Sequence, residues 1–281
     1  MTKCFEVSVE GGVGHVQLCR PAELNTMVVE FWSGLPRIIG DLDAPGDVRA
    51  IVISSTGRHF SAGMDLAVFS GEGGLLGSPG VTEQGRQRAH LFQMVQVLQE
   101  SFTALERARV PVLAAIQGGC IGGAVDMVCA ADMRYASADA FFCIQEINIG
   151  MTADVGTLQR LPKIIPDGVA RELAYTGDRM SAQRAREVGL VNEVFADHEA
   201  LVAGVMEIAQ RIATKSPLAI WGTKEAVTYA RDHSVADSLR HIAAWQSGMF
   251  QPDDMMECFA AKGEGREPRF QGLPRLDAGR G

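Results

Sequence analysis

No CxxC pair occurs in this 281-residue chain, although it holds six cysteines. Cys4, Cys19, Cys120, Cys129, Cys143 and Cys258 lie mostly in apolar runs, which reads as buried free thiols in a reducing compartment. Cys120, within QGGCIGG, has no histidine nearby in sequence and reads as structural rather than nucleophilic. The six histidines (His15, His59, His90, His198, His233 and His241) form no HExxH or other ligand spacing, so no metal site is expected. There is no GxGxxG opening a helix after a strand and no GxxxxGK[ST], which disfavours nicotinamide dinucleotides and P-loop nucleotides. Ser61 lacks a GxSxG elbow and reads as a turn residue. Basic residues are the minority, 26 against 34 acidic, for a net charge of −8. That balance excludes nucleic acid as the main partner and leaves room for a small anion held by a few local cations. No apolar run reaches membrane-spanning length, so no membrane partner is expected. The start, MTKCFEVSVEGG, has no apolar signal region, and RLDAGRG at the end is no SKL-type address. The expectation is a cytoplasmic protein, fitting a bacterial cytosol.

What is present is an ordinary globular composition, 47% hydrophobic and 21% charged. FEVSV and GHVQLCR suit a β-hairpin closed at Glu10-Gly11-Gly12. Helical spacing runs over 28–42 and 86–107, and RAIVIS (49–54) and VPVLAAI (110–116) read as buried strands. Past residue 165 the pattern is helical at 167–176, 181–188, 197–214, 217–231, 234–248 and 252–262, with VNEVF (191–195) the exception. SGEGGLLGSPGVTEQG (70–85) reads as a mobile, glycine-rich interruption. Strand–helix alternation predicts an α/β core with crossover connections over 1–195, a helical region over 196–265 and a weakly structured tail over 266–281.

Three acids stand in apolar or Gly/Ala-rich surroundings: Asp126 in GGAVDMVCA, Glu146 in FFCIQEINIG and Asp154 in GMTADVGTL. A charge in a would-be core is costly unless paired or neutralised, so these are poor packing choices and good acid–base candidates. Two segments share a further design. RHFSAGMDL (58–66) follows a strand into a polar turn, and IQGGCIGGAVD (116–126) passes from a strand into a helix through glycines. Backbone N–H groups at such turns lack intrahelical partners and sit at a helix's positive end. Two that converge on one oxygen make an oxyanion hole.

The blocks RPAELNTM (20–27), FSAGMDL (60–66), AAIQGGCIGGAVDM (114–127) and GTLQRLPKII (156–165), in this order and spacing, resemble the crotonase, or enoyl-CoA hydratase/isomerase, superfamily over nearly the whole chain. The resemblance implies a crotonase-like spiral of ββα repeats with a C-terminal helical trimerisation region, assembled as a homotrimer or a dimer of trimers. It implies an acyl-CoA substrate and no separate cofactor. The N–H groups of Met64 and Gly123 would hold the thioester oxygen, with Ala62, Gly63, Asp65, Leu66 and Gly122 at the substrate.

Hydratases of this superfamily carry two glutamates, at the positions of Asp126 and Glu146. An aspartate at the first position, with Asp154 added in ADVGTLQRLPKII, resembles the Δ3,5-Δ2,4-dienoyl-CoA isomerase subgroup, as do EFW (30–32) and RDHSVADSL (231–239). By that resemblance Asp154 removes the C2 proton, Glu146 protonates C6, and Asp126 modulates Glu146, in fatty-acid β-oxidation. The alternative is an enoyl-CoA hydratase adding water to a 2-enoyl-CoA. A non-catalytic or RNA-binding crotonase-fold protein would be expected to have lost the acids or gained a basic face. The chain departs from the family at Ala124, where a third glycine is common, and at Ala22 and Glu23, where a lysine often meets the CoA phosphates. Arg58 or Lys224 is the expected substitute, and 70–85 is a candidate lid over the acyl chain.

Overall fold

Strands β1 (Phe5–Glu10) and β2 (Val13–Leu18) form the hairpin read from the sequence, with Glu10 opposite Val13. Gly11 and Gly12 close it at φ of 56° and 79°, the left-handed pair that a two-residue type I′ turn demands. The computed structural model describes residues 4–65, 68 and 83–276. The stretch from 70 to 82, and with it nearly all of the expected lid, lies outside the described residues.

Helix α1 (Val29–Asp43) contains Pro36 in its interior. A proline there cannot donate to the carbonyl four residues back. The Ser101 hydroxyl donates to that orphaned Trp32 oxygen instead, at 2.7 Å. Ser101 belongs to α2 (Gln84–Arg107), which follows β3 (Ala50–Ser55) and is capped by Glu83 accepting from the Gly85 and Arg86 N–H groups. Phe31, Trp32 and Phe102 then fuse the two helices, with ring centroids 5.3–6.5 Å apart.

From here the chain spirals. Strand β4 (Val112–Ile116) joins the large sheet, β5 (Gly119–Ile121) a small one, and α3 (Gly123–Ala130) leads back. The next circuit places β6 (Met133–Ser137) in the large sheet and β7 (Phe141–Cys143) in the small one. A 3-10 turn (Glu146–Ile149), α4 (Thr157–Arg160), a second 3-10 turn (Leu161–Lys163) and α5 (Asp167–Thr176) follow. Strand β8 (Met180–Ser181) completes the small sheet, and after α6 (Ala182–Glu187), β9 (Glu193–Phe195) closes the large one. The orders are β1-β2-β3-β4-β6-β9 and β5-β7-β8, so each circuit adds one strand to each sheet. This is the expected α/β spiral. Strands of two or three residues show no alternation, so the small sheet was not legible beforehand.

Helix α7 (His198–Ala213) lays Leu201, Val205 and Ala209, spaced at i, i+4 and i+8, on Val13, Val52 and Leu113. A fully buried Leu or Val contributes about 1.5–3 kcal/mol. Beyond it come α8 (Pro217–Ala230), α9 (Val235–Met249) and α10 (Pro252–Glu264). Helix α8 is anchored by Lys224, whose ammonium donates to the Leu105 and Val110 carbonyls and pairs with Asp132 at 2.8 Å. The tail is held more firmly than its composition suggests: Leu273 and Leu276 N–H groups donate to the Gly46 and Ala44 carbonyls. Among the described residues no helix is long and apolar enough to cross a membrane.

Candidate active site

The two glycine-bearing turns meet. Ser61 and Cys120 bridge in parallel, with Ser61 N–H on Gly119 O and Ile121 N–H on Ser61 O, both at 3.1 Å. Met27 fixes the far side of the first turn, taking Gly63 O at 2.8 Å and receiving Asp65 N–H at 3.1 Å. Asp65 is also held by the Thr26 hydroxyl, at 2.9 Å. Since alternate N–H groups of an extended segment face opposite ways, Met64 N–H is turned away from Met27. Gly63 sits at φ +83°, and a Cβ on it would fall 2.5 Å from Ile121 O and 3.2 Å from the Gly123 nitrogen. Only glycine allows that approach. Gly122 N–H is taken by Cys143 O at 2.9 Å. Gly123, the first residue of α3, and Met64 have N–H groups without an acceptor among the described residues.

These groups open onto a cleft of about 610 Å³, within the usual range for small-molecule sites. Ala62, Met64, Asp65, Gly122 and Gly123 line it together with Asp126, Glu146 and Asp154. Of the residues singled out from sequence, Gly63 lies behind this lining and shapes it, and Leu66 lies outside the described residues. The sequence reading missed Trp32, Ile149 and Met151 as apolar walls and Arg179 as a cation on the rim. The indole of Trp32 has a readable core pattern, but no local motif separates a core aromatic from a cleft wall.

Asp126, 1% exposed, sits in the first turn of α3. Its Oδ1 accepts the Thr157 N–H at 2.5 Å, while Oδ2 has no partner among the described residues. Burial pushes its carboxyl up to about 6, against the opposing Thr157 hydrogen bond. Glu146 starts the 3-10 turn with its carboxyl over Gly122, Oε1 lying 3.2 Å from where that residue's Cβ would be. Burial first, then the nearby Asp126 and Asp154 charges, raise it to about 7. Burial also raises Asp154. Near neutrality the cleft can therefore hold one protonated and one ionised carboxyl, the condition for moving a proton between two points of a ligand. Cys120 and Cys129 are buried thiols raised by desolvation, Cys129 to about 12, which suits packing rather than attack. Lys224, expected to supply charge to a ligand, is buried and engaged with Asp132. Arg58 is exposed, and both it and Arg179 depress the His59 imidazole after burial has done so.

The Enoyl-CoA hydratase/isomerase family pattern matches residues 8–273. The peroxisomal Delta(3,5)-Delta(2,4)-dienoyl-CoA isomerase of Arabidopsis thaliana is 40% identical over 266 residues, 95% of each chain. The mitochondrial enzyme of that name from Homo sapiens is 41% identical over 261 residues, 92% of this chain and 79% of its own. Among solved structures, an enoyl-CoA hydratase from Bacillus anthracis superposes with a TM-score of 0.84 at 27% identity, covering 96% of this chain and 100% of its own. The cytoplasmic setting expected from the sequence is overturned by these relatives, which are peroxisomal and mitochondrial. Free thiols suit any compartment that is not oxidising, so the cysteines could not separate cytosol from organelle.

Proposed function

The chain belongs to the enoyl-CoA hydratase/isomerase family, and from that premise we infer that it isomerises 3,5-dienoyl-CoA to 2,4-dienoyl-CoA in fatty-acid β-oxidation. The observation that carries this is the third carboxyl, Asp154, in the same cleft as Asp126 and Glu146. Adding water across one double bond takes two acids around one water. A proton shift from C2 to C6 takes one acid at each end of the diene.

In this reading the thioester oxygen lies against the Met64 and Gly123 N–H groups. Asp154 takes the C2 proton, and the C–H electron pair passes into a dienolate whose charge spreads onto that oxygen. Preorganised donors there lower the barrier by several kcal/mol. Glu146 then gives its proton to C6, the double bonds settle at C2 and C4, and the two acids have exchanged protonation states. A proton passed back between them resets the site, with Asp126 setting the local charge. The substrate is a CoA thioester and no separate cofactor is needed. Arg58 and Arg179 are the cations we assign to its phosphates.

We also assign the homotrimer or paired-trimer assembly to α8–α10. No residue of helix α9 is fully buried within its own chain, while Leu239, Phe250 and Phe259 are each more than half exposed. Such an apolar surface on one chain marks an association face.

The test follows the ultraviolet absorbance of a 3,5-dienoyl-CoA with crotonyl-CoA in parallel. Growth of the 2,4-dienoyl chromophore, lost in Asp154→Asn, supports the isomerase. Hydration of crotonyl-CoA with no diene shift would make the chain a hydratase instead.

A further inference from the structure

We propose that Gln99 is a positioning residue for the reaction, its side-chain amide donating to the Asp154 main-chain carbonyl and thereby aiming the Asp154 carboxylate. The inference rests on the reading of Asp154 as the base.

Residues 151–156 are neither helix nor strand, so their carbonyls have no ladder to join. A buried carbonyl left unpaired is costly and leaves its peptide free to rotate. Helix α2 supplies the missing partners from one stripe. Gln99 Nε2 donates to Asp154 O at 2.7 Å. One turn on, Thr103 Oγ1 accepts from Arg160 Nη2 at 3.2 Å, and Glu106 Oε2 accepts from the same nitrogen at 2.7 Å. Positions 99, 103 and 106 share a helix face. Arg160 in turn reaches the Val155 carbonyl in a long 3.5 Å contact. From the opposite side, Asp126 receives the Thr157 N–H. The segment is gripped at 154, 155 and 157, and among the described residues Gln99 is the side chain that holds the base's own carbonyl. The fixed amide also keeps that carbonyl from turning into the cleft, where it would face the developing dienolate.

The Glu106–Arg160 pair is itself sheltered, with side chains 13% and 12% exposed, and Arg231 at the end of α8 joins it on Glu106. The grip is therefore anchored in the core rather than in solvent. Gln99 is half-buried, and replacing it leaves this anchor whole.

The measurement is steady-state turnover of 3,5-dienoyl-CoA, protiated and C2-deuterated, by the full chain and by Gln99→Met, Gln99→Glu and Asp154→Asn. Gln99→Met keeps the side chain's length and removes the donor. Its kcat should fall by about tenfold to a hundredfold, as expected of a reacting group displaced by up to 1 Å. KM should stay within about twofold, because only a transition-state contact is disturbed. The deuterium effect on kcat should rise as C2 proton removal becomes more rate-limiting, with the melting temperature lowered by no more than the few degrees that loss of one part-buried hydrogen bond brings. Gln99→Glu, which faces the carbonyl with an acceptor, should lose more. Wild-type kcat in both Gln99 variants, with Asp154→Asn inactive, would overturn the role of Gln99 alone. So would a loss of kcat that tracks a fall in melting temperature and leaves the isotope effect unchanged. Full activity in Asp154→Asn would overturn the assignment of the base, and this inference with it.

Discussion

Replacing Gly63 by alanine tests whether the approach of two backbone segments governs turnover. Gly63 has φ +83°, so a side chain there carries left-handed strain of about 1–2 kcal/mol. A Cβ at that position would lie 2.5 Å from Ile121 O, where ordinary contact begins at 3.4 Å. The segments must then part by about 0.9 Å to reach that separation. The same Cβ would lie 3.2 Å from the Gly123 nitrogen, tighter than ordinary contact, so the Gly123 N–H is displaced along with the Ile121 carbonyl. A displacement near 1 Å at a reacting group is worth about a hundredfold in rate, and loss of one oxyanion donor about 10²–10³. We expect kcat for 3,5-dienoyl-CoA to fall about a hundredfold. Melting temperature should drop by about 2–4 °C for each kcal/mol of strain. Gly265→Ala is the control: it has φ +65° with open space around the would-be Cβ, so it carries the strain without the collision. Stopped-flow absorbance gives the rates and calorimetry the stabilities. Gly63→Ala turning over at the wild-type rate, no less stable than Gly265→Ala, would refute the reasoning.

Four further outcomes are expected. Turnover should fall as pH rises through about 7, where Glu146 loses the proton that the proposed mechanism has it deliver, and should fall again on the acid side as Asp154, the proposed base, becomes protonated. Glu146→Gln should abolish isomerisation yet retain exchange of the C2 hydrogen in heavy water, read by NMR. Asp126 is raised from 3.8 to about 6 by folding, so the folded chain binds more protons than the unfolded chain between those values, and stability falls as pH climbs through that window. Asp126→Asn should therefore be more stable than the parent at pH 8, by up to about 3 kcal/mol, with the gap closing near pH 4 in denaturant titrations. Ser101→Ala should lower stability by about 1–3 kcal/mol, because the Trp32 carbonyl opposite Pro36 loses its donor inside the core. Unchanged thermal unfolding would show that this carbonyl finds another partner.

Much of the fold was legible because its longer elements repeat their apolar residues clearly. Helix α2, expected over 86–107, runs over 84–107, and the expected helix over 167–176 is α5. Pro36 gave no break in α1, since the compensating hydroxyl comes from a residue 69 positions away in the chain. The acids were legible for the opposite reason: each interrupts an apolar run, and all three reach one cleft. Gln99 was not, because a glutamine on a long amphipathic helix looks like any solvated position until the 151–156 segment lies beside it. Lys224 misled because a lone lysine carries no mark of burial, and its partner Asp132 lies 92 residues away.

The balance of forces on Asp126 explains why these acids suit proton transfer rather than charge storage. It lies in the first turn of α3 and accepts a backbone N–H, two features that favour the anion. A helix terminus contributes about 0.3–1 kcal/mol in this sense. The rise from 3.8 to about 6 corresponds to a net of about 3 kcal/mol in the opposite sense. Desolvation therefore outweighs the dipole and the hydrogen bond together. Trp32 and Ile149 line the cleft beside the carboxyls, and the Oδ2 of Asp126, unpartnered among the described residues, gives a proton a place to reside. A site built to bind a cation or to stabilise a fixed anion would place donors at that oxygen. Here burial holds Asp126 and Glu146 near the point where gaining and losing a proton are about equally easy, and raises Asp154 in the same direction, which is what a shuttle between two carbons requires.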